Sequence, residues 1–141
     1  MATVRELNEN DDAKFGLKFP LEYHSEKGGF FPTTKRLKEQ SASNLKNLLL
    51  THKGERVAQP EFGSELPNIL FEPLTEDTSS AIESAVNEAV SQWLPHITIQ
   101  NVFVSTSDDS NSISLQVEFT VDLDDPNSVE VLTFNFFNTG I

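Results

Sequence analysis

The chain has 141 residues, 37% of them hydrophobic, with no cysteine and a formal net charge of −12. One domain of this size buries roughly two-thirds of its unfolded surface, so a real core is expected; without cysteine, a disulfide framework and a thiolate metal site are both excluded. The charge disfavours nucleic acid, whose phosphates it repels, and no apolar run approaches the ~18 residues that cross a membrane.

The acids are distributed along the chain and form no single block. Two readings of the charge stay open: it keeps the molecule soluble, or it prepares a surface for basic partners. Residues 1–12 are an acidic, polar lead-in without the pattern of a secretion signal. Phe15, Phe19, Tyr23, Phe30 and Phe31 follow, interrupted by Pro20, Gly28, Gly29 and Pro32. That pattern predicts an extended arm or a small hairpin whose aromatics need a surface to lie on. Residues 1–34 are therefore expected to form an arm, and residues 35–141 a single α+β domain.

The first helix is predicted from about Arg36 to Leu50, with Leu37, Leu45, Leu48 and Leu49 near one face and Gly54 just past the end. A turn-rich stretch holds Pro60, Gly63, Pro67 and Pro73, with a one-turn helix around Pro67 to Phe71. The second helix is predicted from about Thr78 to Trp93, capped by Asp77 or Thr78 and stopped by Pro95. Ile82, Ala85, Val86, Ala89, Val90 and Trp93 form its apolar stripe.

The period then switches to two. Ile97, Ile99 and Val102 to Val104 predict one strand. Ile113, Leu115, Val117, Phe119, Val121 and Leu123 alternate with polar residues and predict a second strand with one buried face. Val129, Val131, Leu132, Phe134, Phe136 and Phe137 place apolar residues on both faces of a third. Such a strand is either central or covered by something else, and being last in the sequence it is open to an outside partner. Deleting residues 128–141 is expected to leave the helical part folded. The fold class is α+β: two main helices packed on a C-terminal antiparallel meander, with an extended N-terminal arm.

The sequence contains no G-x-G-x-x-G, Walker loop, G-x-S-x-G or H-E-x-x-H. His24, His52 and His96 are too scattered for a local chelate, so neither metal nor cofactor is expected. Glu72 follows Ile69, Leu70 and Phe71 and precedes Pro73. A carboxylate there needs a cation or donors, which gives a structural role in a salt bridge or cap. A general acid of a lysozyme-like peptidoglycan hydrolase is the alternative; it needs a second carboxylate, and Glu61, Glu65, Glu76 and Asp77 lack a diagnostic spacing. Gly54 and Gly63 are expected at positive φ or at a close backbone approach, and Arg56 between them to pair with a local acid.

Three runs carry a family resemblance. Leu48 to Arg56 (LLLTHKGER) is similar to the LLLT-x-x-GER run of the gene-25-type (GPW) baseplate wedge family. Pro60 to Leu66 (PEFGSEL) resembles its P-[DE]-FG-x-x-L run, and Leu70 to Pro73 its LFEP motif; Phe15 to Pro20 resembles its start. The family's helix with an aromatic-Pro ending is matched by Ala81 to Pro95, and the resemblance as a whole runs from about residue 13 to 123. The resemblance implies a non-catalytic subunit of a contractile phage tail or related injection machine. It implies residence in the virion, at the tail baseplate, and in the host cytoplasm during assembly. The implied partners are other baseplate wedge subunits, the tail sheath subunit and hub or tube-initiator proteins. Helices would join a core wedge bundle, and the C-terminal strands would template the sheath by accepting its strands. The residues implied to meet partners are Phe71, Glu72, Pro73 and Arg56, with Val129, Val131, Leu132, Phe134 and Phe136 on the last strand. Leu74 stands where the family pattern expects Arg. Some family members have carried a lysozyme label, which keeps the hydrolase alternative in view.

Overall fold

The computed structural model describes residues 14–19, 21, 32–70, 75–107, 112–122 and 127–137. The elements in chain order are β1 (Gly16–Leu17), β2 (Thr33–Thr34), α1 (Leu37–Leu50), α2 (Leu66–Leu70), α3 (Glu76–Trp93), β3 (Ile97–Ser107), β4 (Ser112–Val121) and β5 (Glu130–Phe137). The α+β reading holds: the three helices and a β3-β4-β5 antiparallel sheet share one core.

Two stretches of the N-terminal arm pair as a short ladder. Gly16 pairs with Thr34 and Leu17 with Thr33, flanked by Phe15 N–H to the Thr34 carbonyl (3.0 Å) and Lys18 N–H to the Pro32 carbonyl (2.9 Å). The ladder rests on α1. Thr34 is buried and donates its hydroxyl to Gln40 Oε1 at 2.6 Å. Phe19 N–H donates to Ser43 Oγ at 3.3 Å, and the Lys46 ammonium lies 5.9 Å from the Phe19 ring centre. Tyr23, Phe30 and Phe31 lie outside the described residues.

Helix α1 buries Leu45, Leu48 and Leu49, the stripe that its spacing predicts. It ends at Leu50, ahead of Gly54, because Thr51 turns extended and its hydroxyl bonds back to the Asn47 carbonyl at 2.6 Å. Helix α3 buries Ile82, Val86, Ala89 and Val90 against it. Its start lies before the predicted cap: Thr75 is the N-cap, and its N–H donates to Thr78 Oγ1 at 2.8 Å. Thr78 thus serves three residues into the helix, as the returning half of a capping box. Leu94 closes the helix with its N–H on the Val90 carbonyl (2.8 Å), just before Pro95.

The sheet carries the clearest periodicity. On β4, Ile113, Leu115, Val117 and Phe119 are buried, while Ser112, Ser114, Gln116 and Glu118 face the other way. Cross-strand rows on the inner face are Val102–Val117–Leu132 and Val104–Leu115–Phe134. A bulge between Ile99 and Asn101 shifts the register, and Gln100 Nε2 reaches Thr120 Oγ1 at 3.4 Å. Among the described residues, Phe119 is the largest side chain with no exposed surface. Burying one such side chain contributes about 2 to 3 kcal/mol, so the helices and the meander are held to each other chiefly by this shared apolar layer.

Candidate functional site

Two features stand out from the core: the turn between α1 and α2, and the last strand. The turn folds back on the end of α1. His52 and Ser64 form an isolated parallel bridge, with Ser64 N–H on the Thr51 carbonyl (2.9 Å). Ser64 Oγ, also buried, donates to the Leu49 carbonyl at 2.9 Å. Glu55 returns a carboxylate oxygen to His52 N–H at 3.0 Å, and Gly54 N–H meets the Pro60 carbonyl at 2.7 Å. Both predicted glycines have positive φ, +88° at Gly54 and +129° at Gly63.

Polar and aromatic groups then tie this turn to α3. The Arg56 guanidinium carbon sits 3.9 Å from the Phe62 ring centre, and Phe62 meets Trp93 edge-on at 5.2 Å. Where the sequence suggests a local acid for Arg56, the structure shows an aromatic face, a cation–π contact worth about 0.5 to 1 kcal/mol at an exposed site. Trp93 Nε1 is buried and has no hydrogen-bond partner among the described residues. Lys53 lies 3.0 Å from Glu88 and 4.0 Å from Glu65. The hydrogen bond to Glu88 holds its ammonium pKa above the ordinary 10.5, with the negative charges of Glu88, Glu65 and Glu61 adding to it and burial opposing it.

A raised pKa means that the folded chain holds this proton more tightly than the unfolded one. The stabilisation is therefore complete below the ordinary lysine value and fades as pH rises through the higher folded value. Lys53→Met is expected to cost only about 0.5 kcal/mol, as for exposed pairs generally. The difference in melting temperature from the parent should stay constant between pH 6 and 9, and shrink only in strongly alkaline buffer.

The last strand has two unlike sides. Phe134 is 4% exposed, and Leu132 and Phe136 pack against the same cluster; the Phe134 and Phe136 rings stack at 6.2 Å. Val131 and, just before the strand, Val129 are half exposed. β5 is bonded to β4 along Glu130 to Phe137 and is an edge of the sheet among the described residues. Alternate backbone N–H and C=O groups of such a strand point away from its neighbour. The apolar-on-both-faces pattern thus resolves into a core side and an open side on an edge strand.

Phe71, Glu72 and Pro73 lie outside the described residues, between α2 and Thr75. Phe62, Lys53 and Phe103 were not singled out from sequence. Phe103 sits between Val102 and Val104 in a strand, so strict alternation turns it to the outer face, where it is half exposed.

The profile of the family described as baseplate wedge protein gp25 matches residues 35–126. The chain belongs to that family. The gp25 baseplate wedge protein of Enterobacteria phage T4 is 32% identical over 88 residues. Those residues make up 62% of this chain and 66% of that relative, so the chain spans just under two thirds of the relative's length. Among solved structures, a candidate tail lysozyme from Geobacter sulfurreducens superposes with a TM-score of 0.62 at 28% identity, covering 71% of this chain and 89% of the other. A chain of the anti-feeding prophage baseplate superposes with a TM-score of 0.57 over 86% of this chain and 82% of its own length. At 15% identity, that last likeness is one of fold. All three sequence runs that carry the resemblance lie within the span matched to the gp25 family.

Proposed function

We propose that the chain is a non-catalytic baseplate wedge subunit of a contractile tail or related injection machine, which joins other wedge subunits through its helices and templates the sheath at β5. The observation that carries this is the position of β5 at an edge of the sheet among the described residues, where its inner row of Leu132, Phe134 and Phe136 continues the core up to that edge. A partner strand added there would gain main-chain hydrogen bonds and extend the same apolar row. Family membership and the likeness to baseplate chains support the assembly setting.

On this reading, Val129, Val131, Leu132, Phe134 and Phe136 serve the sheath contact, and Phe71, Glu72, Pro73 and Arg56 the wedge contact. The exposed side of α3, lined by Ser80, Glu83, Ser84, Asn87, Glu88 and Ser91, suits a wedge helix, which Ser80, Ser84 and Ser91 would let approach closely while Glu83, Asn87 and Glu88 offer polar contacts. The arm of residues 1–34 would be a separate attachment to a wedge domain of residues 35–141, which is supported by the family match beginning at residue 35. Hub or tube-initiator proteins are the remaining neighbours of such a position, the virion baseplate its address, and the host cytoplasm its place of assembly.

Amide exchange tests the edge directly. In the free chain, the β5 amides that point away from β4 should exchange fast, and in baseplates carrying a first sheath ring they should slow at least tenfold. Unchanged exchange on assembled sheaths would sink the templating role. The hydrolase reading draws on the likeness to the candidate tail lysozyme. It predicts release of muropeptides from purified peptidoglycan and loss of that release in Glu72→Gln. The expected result is no release by either protein, with weaker wedge association in Glu72→Gln.

A further inference from the structure

The two sides of α1 are unlike. One carries Leu45, Leu48 and Leu49 into the core. The other carries Gln40, Ser43, Asn44 and Asn47, neutral amides and a hydroxyl spaced i, i+3, i+4 and i+7. A polar helix face ordinarily lies in water. Here the ladder of β1 and β2 lies over its start, through polar contacts. The Thr34 hydroxyl donates to Gln40 Oε1 at 2.6 Å, and Gln40 Nε2 donates in turn to Asn44 Oδ1 at 2.8 Å. Phe19 N–H donates to Ser43 Oγ at 3.3 Å. Gly16 fits against the same amide: a Cβ there would lie 2.5 Å from Gln40 Oε1 and 2.8 Å from its Cδ.

The seam is separate from the core. Among the described residues of the arm, none belongs to the apolar cluster that the helices and the sheet share. Leu17 and Leu21 are half exposed, so the apolar cost of parting falls chiefly on the half-buried Phe15 and Phe19. An apolar seam resists parting in proportion to its area, whereas a polar one trades its hydrogen bonds for bonds to water at small net cost. The ladder has two residue pairs. It runs into α1 through Lys35 and Arg36, both exposed, with extended backbone and no side-chain cap at Arg36.

We propose that the β1–β2 ladder is a releasable strap. It is an autoinhibitory contact that closes the Gln40, Ser43 and Asn44 side of α1 in the free chain, and it swings away as a unit about Lys35 and Arg36 while the core stays folded. Openings of this kind belong to regions with few buried apolar contacts. The wedge reading above enters only in what the closure withholds, a face of α1 from the helices of other subunits.

Amide exchange of the full-length chain between 0 and 1.5 M urea tests the strap. The Phe15 and Lys18 amides donate across the ladder to Thr34 and Pro32. Their protection factors should agree within about fivefold and lie at least about a hundredfold below those of Leu115 and Val117 in the central strand. They should also change little with urea, because opening exposes little surface, while the central-strand values fall steeply. Gly16→Ala acts through Gln40, whose amide the new methyl meets, and Thr34→Val removes the hydroxyl. In Gly16→Ala/Thr34→Val, protection of Phe15 and Lys18 should fall at least about tenfold and the side-chain amide signals of Gln40 and Asn44 should shift, with a cooperative urea transition of near-parental slope retained. Strap amides that exchange at the rate and urea dependence of the central strand would overturn the proposal, since the ladder would then part only with the core. So would a difference above fivefold between Phe15 and Lys18, which means piecewise fraying. Indifference of both amides to the double substitution, or loss of the cooperative transition in that variant, would count against it equally. No wedge partner is present in these measurements, so a failure of the wedge reading leaves the strap standing.

Discussion

Gly63→Ala is expected to cost the folded chain at least about 2 kcal/mol, seen as a lower urea midpoint with an unchanged slope. Two effects add at this position. With φ at +129°, Gly63 occupies a backbone region that L side chains rarely adopt. A Cβ built there would also lie 2.6 Å from the Thr51 carbonyl oxygen, 2.8 Å from the His52 carbonyl carbon and 2.9 Å from its oxygen. These are backbone atoms, and the Thr51 oxygen is already held by Ser64 N–H, so they cannot swing aside as a side chain could. Gly54 is the internal control. Its φ is +88°, but a Cβ there would meet nothing within 4 Å, so Gly54→Ala should lose only the conformational part, about 1 kcal/mol. Equal costs at the two glycines would show that the clash at Gly63 relaxes freely and that the turn is softer than its geometry implies.

That turn also shows why some of the molecule was legible in the sequence and some was not. The apolar stripes of α1 and α3 and the alternation of β4 were readable because burial imposes a fixed period on contiguous residues, and each stripe met the same core. The start of α3 is not legible from composition because cap chemistry is reciprocal: Thr78 looks like a cap, yet it supports Thr75 from inside the helix. Both positive-φ glycines were readable, but not which of them faces backbone, since the Thr51 and His52 carbonyls reach Gly63 through a long-range bridge. The apolar residues of the last strand look alike in sequence, and the structure divides them between an inward row of Leu132, Phe134 and Phe136 and an exposed pair of Val129 and Val131 according to the pleat. Glu72 falls outside the described residues, so the wedge contact still rests on family membership and the test by substitution.

Deleting residues 128–141 is expected to unfold the sheet and the helices that pack on it, in contrast to the sequence-based expectation of a surviving helical part. The reason is that β5 is both an edge and a wall of the core. Phe134 sits in the common cluster with Leu45, Val86 and Phe119. Truncating one buried Phe to Ala typically costs about 3 to 5 kcal/mol. The deletion also removes Leu132 and Phe136 and strips the pairing partner from Ser112 to Phe119 of β4. Against the roughly 5 to 15 kcal/mol that a whole domain has in hand, that loss is of the order of the total stability. The truncated chain should show no cooperative thermal transition, lose the near-ultraviolet dichroism of its single Trp93 and bind a hydrophobic dye. A cooperative transition within about 5 °C of the full-length value would mean that the helices and the first two strands form a core of their own. If the truncated chain unfolds as expected, a failure to build sheath on truncated baseplates carries no information about strand exchange. Only a change confined to the open side of β5, read through its outward amides in the assembled particle, separates the strand as a template from the strand as a wall.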